Sequence, residues 1–205
     1  MADEDPIADR YELSDEERER RDAALSHVRK FGDPVLNSPA TEITEFDDEL
    51  QRDAAGMVEL MHDAVGVGLA ATQLGVMRRL LVFQAGLDAT PTAVANPTIE
   101  WISEELATAE EGCLSLPGVI VEVERPLYAR VRGQDVSGEP LTIEASGLEA
   151  RVLQHEIDHL DGTLMLDRTT REQRRGALRA LREGDTYVPP SSEEEPADDE
   201  AALTG

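Results

Sequence analysis

The short run Gln154-His155-Glu156-Ile157-Asp158-His159 constrains this chain more than any other stretch. His155 and His159 are four positions apart, so on a helix of 3.6 residues per turn they leave one face and can grip a single metal ion. Glu156, beside the first imidazole, can reach a metal-bound water as a proton acceptor. Two of the four histidines in the chain lie here. A helix with two unrelated histidines also produces this pattern by chance, so the rest of the sequence has to decide.

A chain of 205 residues predicts one domain, with a core of about 150 to 160 residues once the ends are set aside. Hydrophobic residues make up 40% and aromatic residues only 3%, so aliphatic side chains must supply most of the packing. No apolar run is long enough to span a membrane, and the acidic start Met1-Ala2-Asp3-Glu4-Asp5 lacks a signal-peptide pattern, which predicts a cytoplasmic location. A monomer is expected. The one cysteine, Cys113, excludes an internal disulfide and suits a reducing compartment. It reads either as a small buried hydrophobe or as a metal ligand or nucleophile, and its neighbours favour the second.

The formal charge is −25. Residues 1–22 hold ten acidic and four basic side chains, and residues 183–205 hold eight acidic and none basic, so more than half of the excess lies at the ends. Such acidity argues against broad nucleic-acid binding. Of the nineteen basic residues only Lys30 is a lysine, a bias that fits either a GC-rich genome or a salt-rich cytoplasm.

Three regions follow: an acidic extension over 1–26, partly disordered or helical; a catalytic domain over 27–183; and an acidic disordered tail over 184–205. Ser14 followed by Glu17 has the form of a capping box and predicts a charged helix over 15–27. Gly32-Asp33-Pro34 ends it. An apolar stripe through Leu50, Ala54, Met57, Val58, Leu60 and Met61 predicts a helix over 47–65, with His62 as a cap or surface residue. A glycine-rich loop over 66–75 precedes strands at 80–83, 93–95, 98–102, 119–123, 127–131 and 141–145. The histidine helix starts at Gly147 or Leu148 and stops at Asp161-Gly162. A last helix, capped by Thr169 or Thr170, runs to Arg182 and carries five arginines.

Two further segments complete the pattern: Gly66-Val67-Gly68-Leu69-Ala70-Ala71-Thr72-Gln73 and Glu111-Gly112-Cys113-Leu114-Ser115-Leu116-Pro117-Gly118. Either alone reads as a turn, and the first lacks the lysine of a phosphate-binding loop. With the histidine segment, Leu160 and Gly162 included, their order resembles bacterial peptide deformylase over about residues 28–168. The runs Phe31-Gly32-Asp33-Pro34-Val35-Leu36 and Asn96-Pro97 share the likeness. Thr72 stands where many members carry proline, and the acidic ends are the clearest departure.

The resemblance implies an α+β fold, with mixed or antiparallel sheets wrapped around a central metal-binding helix and a C-terminal helix. It implies a metal site of Cys113, His155 and His159, with Cys113 lying 42 residues upstream of His155. One thiolate and two imidazoles leave a tetrahedral ion one open position for water. This set suits Fe²⁺, Zn²⁺, Co²⁺ or Ni²⁺, and the family implies Fe²⁺. The implied reaction removes the N-formyl group from the initiator methionine of nascent polypeptides and releases formate. Activated water attacks the formyl carbon, Glu156 carries the proton, and Gln73 with the Leu114 N–H receives the oxyanion. Substrate backbone pairs at Gly68 much as an added strand. Val152 and Ile157 are candidates for the methionine pocket. Asp158 points away from the metal, either paired with Arg125 or solvated. Related enzymes dock a basic C-terminal helix on the ribosome, a role implied for Arg174, Arg175 and Arg179, against a plain exposed helix. A metallopeptidase or a non-hydrolysing binder of formylated chains are the competing readings.

Overall fold

The helix that carries the histidines, α3 (Gly147–Leu160), is buried along most of its circumference, and the remaining elements are arranged to cover it. A computed structural model describes residues 13–86 and 88–190. The expected disorder of the first dozen residues and of most of the acidic tail lies outside the described residues. In chain order the elements are α1 (Asp15–Leu25), α2 (Asp48–Asp63), β1 (Gly68–Ala70), β2 (Leu80–Phe83), β3 (Thr92–Ile102), β4 (Leu106–Cys113), β5 (Leu116–Pro126), β6 (Tyr128–Gln134), β7 (Pro140–Ser146), α3 and α4 (Arg171–Glu183). The fold is therefore α+β. A five-stranded antiparallel sheet runs in the order β1-β2-β3-β6-β7, and β4 and β5 form a separate hairpin.

Side-chain alternation along β2 explains the layering. Leu80 and Val82 face α2, joining Leu50, Ala54, Met57 and Met61. Leu81 and Phe83 face α3, joining Ala150, Leu153, Ile157 and Leu160. A strand buried on both faces reads as an unbroken apolar run, and Leu-Leu-Val-Phe is one. The third cluster packs Val119, Val121 and Val123 of β5 against Met165, Leu166 and Ala177, tying the hairpin to α4.

Several elements differ from the sequence expectations. The two strands expected at 93–95 and 98–102 are one, because Asn96 (φ 50°) absorbs the irregularity and the ladder to β6 shifts register there. Asn96 tolerates that backbone, and its side chain bonds both the N–H and the C=O of Ile43. Strand β4 was not expected: it contains few β-branched or aromatic residues and is mostly exposed. The capping box of α1 is present, with Ser14 and Glu17 in both bonds, but the helix ends at Leu25. Residues 184–190, expected to open the disordered tail, are anchored at Tyr187, whose N–H bonds Gly118 C=O while the Ile120 N–H returns to Tyr187 C=O. The Tyr187 ring fills the space a side chain at Gly176 would need.

Candidate metal centre and active-site cleft

The turn between β4 and β5 has only two residues, Leu114 and Ser115, so Cys113 ends one strand at a tight corner. That corner meets the face of α3 bearing His155 and His159. Cys113 Sγ lies 3.2 Å from His159 Nε2. The donor atoms of Cys113, His155 and His159 all lie within 4.8 Å of one another. In a tetrahedral site with zinc-like bond lengths, a sulfur and a nitrogen ligand stand about 3.5 Å apart, so the spacing fits one ion. His155 turns Nδ1 to Glu111 Oε2 at 2.9 Å, which leaves Nε2 for the cluster.

The electrostatics agree. Burial by itself raises the Cys113 thiol, but the imidazoles of His159 and His155 overcome this and hold it well below its ordinary value. Burial lowers the His155 imidazole, yet its bonds to Cys113 and Glu111 raise it well above the usual range. The pocket thus favours a thiolate with positive charge beside it; a bound ion would supply that charge and leave His155 neutral, as a ligand must be. These three residues could hold a metal ion.

Gln73 enters from a 3-10 turn, Ala71–Leu74. Its Oε1 accepts from the Ala70 N–H at 2.9 Å, which aims Nε2 at Cys113 Sγ (3.6 Å) and Ser115 Oγ (3.3 Å). Ser115 N–H also donates to Cys113 Sγ at 3.4 Å. Thr72 is fully buried and donates its hydroxyl to His159 C=O at 3.1 Å. Glu156 is buried, its Oε2 has no hydrogen-bond partner, and burial raises its carboxyl above the ordinary value while the two imidazoles pull it down. Gly68 lies against it: a Cβ there would stand 2.8 Å from the Glu156 Cδ and Cγ.

A cleft of about 230 Å³ opens over the cluster. Gln73, Cys113, Leu114, His155 and Glu156 line it, together with Val65, Gly66, Val67, Ile120, Leu148 and Val152. Gly68 is not on its wall, but the two residues before it are. Val152 is, whereas Ile157 faces the core between α3 and the sheet. Two residues along a helix is a 200° turn from His155, which sends Ile157 to the opposite side. His62 is exposed and bonded to Gln84 at 2.6 Å.

Behind the cluster lies a network that sequence reasoning only touched. Arg125 donates to both Glu111 oxygens (2.6 and 3.0 Å) and to Asp158 (2.9 Å), so the paired alternative for Asp158 holds. Arg168 also grips Asp158, at 2.6 and 3.1 Å. Arg151 donates to Glu111 Oε1 at 2.7 Å and to two backbone carbonyls. Burial pushes the Glu111 carboxyl up, but His155 and Arg125 hold it far below its usual range. Two signals were available: Glu111 is two residues from Cys113 on a strand, and Arg151 is four from His155 on a helix, so each shares a face with a ligand.

Fold and site together define an α+β hydrolase type, with a Cys/His/His centre shared between a hairpin and a central helix. The family model for polypeptide deformylase matches residues 25–175. The peptide deformylase of Acidothermus cellulolyticus is 46% identical over 162 residues, covering 79% of this chain and 88% of that one. Peptide deformylase 1 of Corynebacterium efficiens is 46% identical, covering 78% of this chain and 96% of that one. Among solved structures, the peptide deformylase of Synechococcus elongatus in complex with actinonin is 40% identical, with a TM-score of 0.72 over 80% of this chain and 91% of that one. This chain belongs to the polypeptide deformylase family.

Proposed function

We propose that this protein is a peptide deformylase, hydrolysing the N-formyl group of the N-terminal formyl-methionine on newly made polypeptides and releasing formate. The observation that carries the reading is the buried Glu156 carboxylate, with Oε2 unpartnered, in one cleft with the Cys113/His155/His159 cluster and Gln73. Family membership supports the substrate.

Cys113, His155 and His159 would hold the metal, and the resemblance favours Fe²⁺, with Zn²⁺, Co²⁺ or Ni²⁺ compatible with the same donors. When bound, the ion supplies Lewis acidity and a strong nucleophile from water at neutral pH. Glu156 accepts a proton at Oε2 and passes it to the leaving amine. Gln73 Nε2 and the Leu114 N–H donate to the oxygen that gains charge, and losing one such donor costs about a hundred- to a thousandfold in turnover. Strand β1, with Gly68, stands at the edge of its sheet, so substrate backbone can add beside it and the preceding residues on the cleft wall. Val152 and Ile120 supply apolar surface for the methionine side chain.

Anaerobically iron-loaded protein given formyl-Met-Ala-Ser should release formate, and Glu156→Ala should abolish it. No release from intact protein would overturn the reading, and internal cleavage of an unformylated peptide would support a metallopeptidase instead.

A cytoplasmic monomer is the proposed form, in a compartment that keeps Cys113 reduced; no helix among the described residues is long and apolar enough to cross a membrane. Docking on the ribosome through α4 is a second reading. Among the described residues Arg171, Arg175, Arg179 and Arg182 have no ion-pair partner. Arg174 is held by Asp167 at 2.6 Å and by Leu166 C=O. Co-sedimentation with ribosomes should weaken with salt and on charge reversal of Arg175 and Arg179; unchanged co-sedimentation removes the idea.

A further inference from the structure

Three consecutive residues just after α1 reach both loops that carry the proposed oxyanion donors. The Arg29 N–H donates to Gln73 C=O at 2.7 Å, and the Phe31 N–H to Ser115 C=O at 2.9 Å. Between them Lys30, the one lysine of the chain, extends its Nζ to Leu114 C=O at 3.2 Å. The two loops come from different parts of the fold, one following β1 and the other closing the β4–β5 hairpin. Side-chain bonds from Gln73 to Ser115 and Cys113 join them on the cleft side. Residues 29–31 join them from the other side.

We propose that residues 29–31 form a clamp that fixes the oxyanion donors, and that Lys30 is a positioning residue for the Leu114 N–H. The proposal rests on the reading of Gln73 and Leu114 as donors. The Leu114-Ser115 turn has two residues, so holding both of their carbonyls fixes the 114–115 and 115–116 peptide planes. The Leu114 N–H belongs to the preceding 113–114 plane, which is held between the end of β4 and the plane that Lys30 fixes. An ammonium is suited to this work, because a charge-assisted bond to a carbonyl is stronger than a neutral one. Donors that need no reorganisation during reaction are where such enzymes gain most, and small displacements are costly. The clamp is seated by Arg29, whose guanidinium covers Gly75 so closely that a Cβ there would meet it at 2.7 Å.

The test compares Lys30→Met and Lys30→Arg with intact iron-loaded protein on formyl-Met-Ala-Ser, with melting temperature and metal content measured alongside. Lys30→Met should lower kcat by about tenfold to a hundredfold with KM little changed, and Lys30→Arg should recover most of the loss. Metal content and melting temperature should stay near those of the intact protein. Amide hydrogen exchange gives a readout without turnover: residues 114–116 should exchange roughly fivefold faster or more in Lys30→Met, while residues 80–83 should not change. Unchanged exchange at 114–116, a kcat equal to that of the intact protein, or a loss that follows metal content would each overturn the proposal. A kcat unaffected by Gln73→Leu would instead sink the donor reading, whatever Lys30 does.

Discussion

A methyl group at position 68 would press on the Glu156 carboxylate from 2.8 Å, nearer than carbon atoms pack. The bare backbone there leaves room for an acid as well as for substrate. Gly68→Ala should therefore lower kcat by about a hundredfold with the metal retained, read from steady-state kinetics and metal analysis; an unchanged kcat would show that Glu156 relocates freely. Glu111 is the other decisive residue. Its two oxygens serve Arg125, Arg151 and His155, all poorly exposed. Glu111→Gln would leave two guanidinium groups short of a counter-charge, and a loss of about 3–5 kcal/mol is expected in urea titrations. Metal affinity should fall by about ten- to a hundredfold, because His155 loses the partner that orients it.

At the scale of elements, helix ends decide much of the architecture. Gly162 follows α3 with φ 74°, and a Cβ would meet the Asn37 carbonyl carbon at 2.8 Å and Ser38 N at 2.9 Å. Gly162→Ala should cost roughly 2–3 kcal/mol by denaturation, by adding left-handed strain and a backbone clash. Asp47 caps α2 by accepting from Leu50 N–H at 2.9 Å, and this bond holds its carboxyl below the ordinary aspartate value of 3.8. A depressed folded-state pKa means the cap contributes fully above that value and is lost as pH falls through the lower, folded one. The stability difference between intact protein and Asp47→Asn should accordingly be larger at pH 6 than at pH 3. Helices α2 and α3 and strand β2 were legible because their apolar spacing is local. Strand β4 was not, since only pairing with β5 makes its exposed, polar residues a strand, and Leu114-Ser115 lacks the glycine or asparagine usual in two-residue hairpin turns. The Cys113, His155 and His159 cluster was legible through motif and resemblance together. The pairing of Arg151 with Glu111, 40 positions apart, was not, because sequence carries no distance between a strand and a helix.

Over the whole molecule, a net charge of −25 opposes compaction. Against that excess, surface pairs such as Arg78 with Glu49 and Asp53 are exposed and contribute little each. Added salt should therefore raise the melting temperature, since it screens long-range repulsion more than it weakens close, buried pairs. A melting temperature that falls between low and high sodium chloride would contradict this. The centre itself is divided between a hairpin thiol and imidazoles that follow it 42 and 46 positions later. As the chain is made from its N-terminus, Cys113 emerges first and waits as an ordinary thiol, open to oxidation, until α3 has been synthesised and folded over it. The three donors therefore meet only when α3 has docked on the hairpin, so neither segment carries a site by itself and the centre is a product of long-range folding.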